Sequence, residues 1–144
     1  MKKLIITTAF ILSGISFVLA STGKALNFSG AQSFKKEFPD ASMVSYKKVD
    51  QFVAVNFVSN DTKMEAFYST DGEYVARSKA IYLSDLPSNA TESINKKYAD
   101  WTTGEVIEYD NFVDNVSCYY VSLTKESRKI ILQVDKDGHV SLYR

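Results

Sequence analysis

His139 and Cys118 are the sole histidine and the sole cysteine of the 144-residue chain, so a cysteine–histidine arrangement could only be this one pair. A cysteine nucleophile needs a base within reach and electropositive surroundings that hold the thiolate. Nothing local ties the two residues together. Cys118 stands in the alternating run VSCYYV and reads as a small apolar strand residue, and His139 follows the turn residue Gly138, where a solvent-exposed strand start is expected. Asp135 with Asp137, and Glu105 with Glu108, have spacings that could serve acid–base work, but each pair falls in a turn or an alternating strand and reads as solvated surface. The Asp-Gly pairs of STDGEYV (Ser69 to Val75) and DKDGHV (Asp135 to Val140) raise the question of a cation loop. A calcium loop requires oxygen ligands at alternating positions and a distant glutamate, whereas STDGEYV offers one carboxylate before its glycine. Both stretches read as hairpin turns with a positive-φ glycine. No catalytic, metal or cofactor-binding residue is assigned, and no cofactor is expected.

The elements that would position any site begin after an export signal. MKKLIITTAFILSGISFVLA joins Lys2 and Lys3 to an apolar run and ends in Val18-Leu19-Ala20, the small-x-small pattern of a cleavage site, which predicts a leader over residues 1–20 and a mature start at Ser21. Thr7, Thr8, Ser13, Gly14 and Ser16 interrupt the roughly 20 apolar residues a membrane anchor needs, so no span is expected after cleavage. Removing the leader takes two lysines and no acid from the 17 basic and 17 acidic residues, leaving a net charge of −2. Basic residues occur at most in pairs such as Lys35-Lys36, which excludes nucleic-acid binding. The mature chain is long enough for one domain with its own core, and one cysteine forms no internal disulfide. Asn27, Asn60, Asn89 and Asn115 lie in N-x-[ST] patterns and read as loop asparagines.

Past a loose polar segment, SGAQSFKKEFP predicts a helix over Ser29 to Phe38, with Ser29 and Gln32 at capping-box spacing, an apolar stripe of Ala31, Phe34 and Phe38, and Pro39 as its stop. The period then becomes two through VSYKK, FVAVNFV, MEAFY and EYVARSKAI. A second helix is expected over Pro87 to Asp100, with Leu86, Ala90, Ile94 and Tyr98 on one face and Pro87 in the first turn. GEVIEY, VSCYYVSL, KIILQV and HVSLY supply four more strands. The halves also align: FKKEFPD with INKKYAD, VAVNFV with YYVSLT, and AFYSTDGEYV with LQVDKDGHV, at offsets growing from sixty to sixty-six, with the six extra residues placed in EYDNFVDN. The expected organisation is a leader (1–20) and one domain (21–144) of two half-repeats, about 29–83 and 84–144. The expected fold class is α+β, two tandem α-β4 units forming an antiparallel sheet with both helices on one face.

FPDA closing the first helix, STDGEY joining two strands, SDLP opening the second helix and DKDGHV near the end resemble the PepSY-like family of exported proteins, which is similar to β-lactamase-inhibitor proteins. The resemblance covers about Ser29 to Arg144. It implies two α/β units sharing one antiparallel sheet, a periplasmic or secreted location, and binding or inhibition of another protein in place of catalysis. No family site residue maps onto this chain.

Strand alternation sorts side chains onto two faces. Val53, Val55, Phe57, Ala66 and Tyr68, with Val121, Leu123, Leu132 and Val134, should lie beneath the helices. Phe52, Phe67, Cys118, Tyr120, Ile131 and Tyr143 are then left on the other face, which is expected to be open. Phe52, Phe67, Tyr120, Ile131 and Tyr143 are the candidate protein-binding residues, because aromatic side chains bring large contact area at low entropy cost. The expected function is an exported, non-enzymatic, inhibitor-like binding module whose unidentified protein partner could be an envelope or extracellular enzyme. The alternative is a small-ligand carrier or sensor of the periplasm; an envelope hydrolase is the weakest reading.

Overall fold

The computed structural model describes residues 27–143; the expected leader, residues 1–20, lies outside them. The elements run α1 (Ala31–Glu37), β1 (Ser42–Val49), β2 (Phe52–Ser59), β3 (Thr62–Ser69), β4 (Tyr74–Ile81), a 3-10 turn (Leu83–Asp85), α2 (Ser88–Lys97), β5 (Thr102–Asn111), β6 (Val116–Lys125), β7 (Arg128–Asp135) and β8 (Val140–Leu142). The strands form one eight-stranded sheet in sequence order, β1 through β8.

This topology corrects the expected fold class. The protein is an open antiparallel sheet carrying two short helices, 54% strand and 17% helix among the described residues, and not two tandem α-β4 units. With α1 only two turns long, most backbone hydrogen bonding is satisfied by successive strand pairing. Compact packing divides the described residues into two units. One unit runs to Lys79 and takes in Asn111–Asp114 from the β5–β6 connection, and the other holds Ala80–Asp110 and the chain from Asn115 onward.

In the first unit Phe34 of α1 is buried against Val53, Val55, Phe57, Ala66 and Tyr68, with Phe28, Phe38 and Tyr74 packed around them. Phe34 meets the Phe57 ring edge-on at 5.0 Å and Phe38 meets it at 4.5 Å. In the second unit Leu86, Ala90 and Ile94 pack on Val106, Val121, Leu123, Leu132 and Val134. Period-two alternation therefore selects the helix-covered side chains in both units, each fully buried one contributing about 1.5–3 kcal/mol.

Local chemistry sets the connections. Asn60 and Asp61 both have positive φ, 47° and 58°, in the two-residue link whose flanking partners are Ser59 and Thr62. Asn and Asp tolerate this region better than other side-chain-bearing residues. The β3–β4 and β7–β8 connections are built alike. Gly72 N–H donates to Ser69 O and Gly138 N–H to Asp135 O, each at 3.0 Å, and only the glycines enter positive φ, at 92° and 85°. These are three-residue loops closed by a left-handed glycine. Ser29 does not cap α1; Gly30 holds the cap position without a side-chain bond. Asp85 makes such a reach-back bond instead, its Oδ2 accepting from Tyr82 N–H at 2.8 Å.

Candidate protein-docking face

Strand register places the face opposite α1 in rows across the first unit. Lys47, Ala54, Phe67 and Ala76 are cross-strand neighbours in one row, and Ser45, Asn56, Glu65 and Ser78 in the next. Phe52 lies opposite Ser69 and Val49 at the end of the face. In the second unit Cys118 pairs with Asp135, Tyr120 with Gln133 and Ser122 with Ile131. Tyr120 gathers the aromatics there: Tyr143 lies 5.0 Å away at 70° and Tyr109 6.2 Å away at 63°, while Tyr143 N–H donates to Ile131 O at 2.8 Å.

The structure thus brings Tyr120, Ile131 and Tyr143 together in the second unit, and Phe52 and Phe67 on neighbouring strands of the first. Their exposure differs from expectation. Phe67, Tyr120 and Ile131 are only 3%, 5% and 7% exposed, and Phe52 and Tyr143 are half-buried. In the second unit the Tyr109, Tyr120 and Tyr143 rings pack edge-on against one another. In the first, Phe67 is set between Ala54 and Ala76 in the strand register.

Burial has a large electrostatic effect at Glu65. Its side chain is 3% exposed, and neither carboxylate oxygen has a partner in hydrogen-bond geometry. Desolvation pushes its pKa up to about 7, against opposing pulls from Lys47 and Asn56. Burial disfavours the charged form of a carboxyl that lacks strong compensating partners.

Among the described residues, large apolar side chains are exposed at Met43, Tyr82 and Leu142 and, as an adjacent pair, at Phe112 and Val113, 48% and 52% exposed in the connection between β5 and β6. This pair is held, not loose. Asn111 Oδ1 accepts from both Val113 N–H and Asp114 N–H at 3.0 Å, and Asn111 Nδ2 donates to Asp114 Oδ2. Phe112 N–H donates to Val75 O at 2.9 Å, its ring meets Tyr74 at 5.0 Å, and the Arg77 guanidinium stands 5.9 Å from its centre. The signal in the sequence was DNFVDN, an apolar pair bracketed by turn-forming Asx residues.

The residues considered for chemistry are not assembled. Cys118 is buried and His139 exposed, with no hydrogen bond between their side chains among the described residues. Asp135 Oδ1 is occupied by the turn itself, accepting from Asp137 N–H at 3.0 Å and His139 N–H at 2.8 Å. Among the described residues no group of three or more His, Cys, Asp or Glu side chains could hold a metal ion, and no helix is long and apolar enough to cross a membrane.

By sequence, no known family and no curated protein matches the chain. By structure, the fold is BLIP-like. A BLIP-like protein from Bacteroides fragilis superposes with a TM-score of 0.65 at 12% identity, covering 80% of this chain and 84% of its own. A candidate periplasmic protein from Bacteroides eggerthii gives 0.73 at 17% identity, covering 82% and 86%. A DUF2874 family protein from Bacteroides ovatus gives 0.70 at 17% identity, covering 83% and 89%. At these identities the likeness establishes the fold.

Proposed function

We propose that this chain is an exported, non-enzymatic binding module of inhibitor-like type that docks on a protein partner in the periplasm or outside the cell. The observation that carries the reading is the Phe112–Val113 pair, two large apolar side chains presented on a turn that Asn111 pins with two backbone hydrogen bonds. Presenting apolar area from an ordered turn avoids much of the entropy cost of ordering a loop on binding. Exposed aromatic anchors are the usual centres of protein recognition. Phe52, a half-buried member of the expected face in the same unit as Phe112 and Val113, is a secondary contact.

The BLIP-like fold supports the reading, as does the name of the B. eggerthii neighbour for the location. The PepSY-like resemblance of the turn and helix-end residues points the same way. The test uses the protein and its Phe112→Ser/Val113→Ser variant as baits in envelope extract, followed by reconstitution with the purified captured protein. A partner held by the parent and lost by the variant, with unchanged melting, is the expected outcome. Equal capture by both would remove this surface from the function.

A further inference from the structure

Arg128, the first residue of β7, is exposed, and its guanidinium carbon stands 5.6 Å from the centre of the Trp101 ring. Among the described residues this guanidinium makes no hydrogen bond and no ion pair. Both halves of the contact are nonetheless held in place. Arg128 pairs with Lys125 across the Glu126-Ser127 link, where Glu126 has φ 53°. Trp101 is partly buried against the core beneath α2, meets Tyr98 edge-on at 6.1 Å and donates its backbone N–H to Tyr98 O at 2.9 Å. Further cations gather here. Lys97 Nζ lies 5.6 Å from the Tyr98 ring centre, Lys96 precedes it at the end of α2, and Lys125 is bound to Asp100. The Asp100 carboxyl is held below its ordinary pKa first by that Lys125 hydrogen bond and least by Arg128, so it belongs to Lys125. A chain whose net charge is −2 without its expected leader thus keeps a local excess of positive charge in its second unit.

A solvated lysine on a surface carries little energy when it pairs, because two long side chains must be ordered at once. A guanidinium held against a ring starts from a better position. The ring contact restricts the side chain while consuming no hydrogen-bond acceptor, so the N–H donors remain for a ligand and less entropy is lost when it arrives. The matching group is a carboxylate, planar and negatively charged, whose two oxygens accept from the guanidinium fork together. We propose that Arg128, backed by Trp101 and flanked by Lys97, receives an aspartate or glutamate side chain of the protein partner. This rests on the reading of the chain as a protein-docking module and adds a charged contact in the unit that does not contain Phe112 and Val113. A protein is favoured over an acidic polysaccharide because Trp101 and Tyr98 are already engaged by Arg128, Lys97 and each other, where a sugar would need a ring face to itself.

Trp101 is the sole tryptophan of the chain, so its fluorescence reports on this site directly. The experiment titrates the protein with a short peptide bearing glutamates between leucines, and with the same peptide bearing glutamines, the neutral isosteres. The glutamate peptide is expected to change Trp101 emission, to bind about tenfold more tightly than the glutamine peptide, and to lose its advantage in Arg128→Gln. The advantage should also shrink as salt rises from about 0.05 M to about 0.5 M. Equal affinities, no binding, or a glutamate preference that survives Arg128→Gln would each overturn the proposal. Polygalacturonate or inorganic phosphate binding as tightly as the glutamate peptide would also overturn it, by assigning the site to a polysaccharide or a free anion. The comparison on the unsubstituted protein stands even where a variant folds poorly. An absent glutamate preference beside a captured partner that depends on Phe112 and Val113 defeats this inference alone; a glutamate preference with no captured partner defeats the docking reading alone.

Discussion

At the scale of single residues, the Glu65 carboxyl and the Tyr68 hydroxyl are, among the described residues, buried polar groups that packing has left without hydrogen-bond partners. They should behave differently when replaced. Glu65 has its pKa raised from 4.5 to about 7, chiefly by burial, so the folded protein binds the proton more tightly than the unfolded chain. Its contribution is fully present below about pH 4.5 and is lost as the pH rises through about 7, an effect on the order of 3 kcal/mol at most. Glu65→Gln removes the titration. Urea unfolding between about pH 5 and pH 8 should show a flatter profile for the variant and a higher stability than the parent at the alkaline end. Tyr68→Phe deletes a buried hydroxyl without opening a large cavity, so it should leave the urea midpoint unchanged or raise it, by up to about 1 kcal/mol. A loss of more than about 2 kcal/mol would mean that the hydroxyl has a partner after all.

At the scale of elements, each helix is joined to a hairpin turn of its own unit. A side-chain carbon added at Gly72 would come within 2.7 Å of the Ser29 carbonyl carbon, and one added at Gly138 would collide with the Asn89 amide, whose Nδ2 donates to Asp137 O at 2.9 Å. The glycines are therefore needed twice, for positive φ and for close approach. Gly72→Val and Gly138→Val should each cost more than about 1 kcal/mol, read as a lower urea midpoint. Calcium and chelator should leave the melting temperature of the parent unmoved, since the Asp135 oxygen is already engaged by backbone N–H groups. The positive φ of these turns was legible in the Asp-Gly pairs. The docking onto Ser29 and Asn89 was not, because contacts between distant segments leave no local pattern. Exposed sheet edges receive similar local protection: β1 has an irregular register between Ser42 and Ser45 and carries Lys47 and Lys48, and β8 is three residues long, features that discourage edge pairing.

At the scale of the whole molecule, sequence periodicity proved more informative about sides than about openness. Val53, Val55, Phe57, Ala66 and Tyr68 were sorted beneath α1, and Val121, Leu123, Leu132 and Val134 beneath α2, because a half-covered strand records its buried side every second residue. That rule assigns Phe67, Tyr120 and Ile131 to the other side but says nothing of how far neighbours cover them, and they are buried. Matching helix, strand and turn order between the halves suggests two tandem α-β4 units in one antiparallel sheet; the molecule is instead an open eight-stranded sheet in sequence order that carries two short helices. The Phe112–Val113 pair has no periodic signal in the sequence because it breaks alternation inside a loop. Its exposure bears the central claim, that this chain works by docking on another protein. The most direct measurement is calorimetric titration of the purified, captured partner into the parent protein and into Phe112→Ser/Val113→Ser. The account predicts binding weakened by about tenfold or more with the melting temperature unchanged; equal affinity for parent and variant would contradict it.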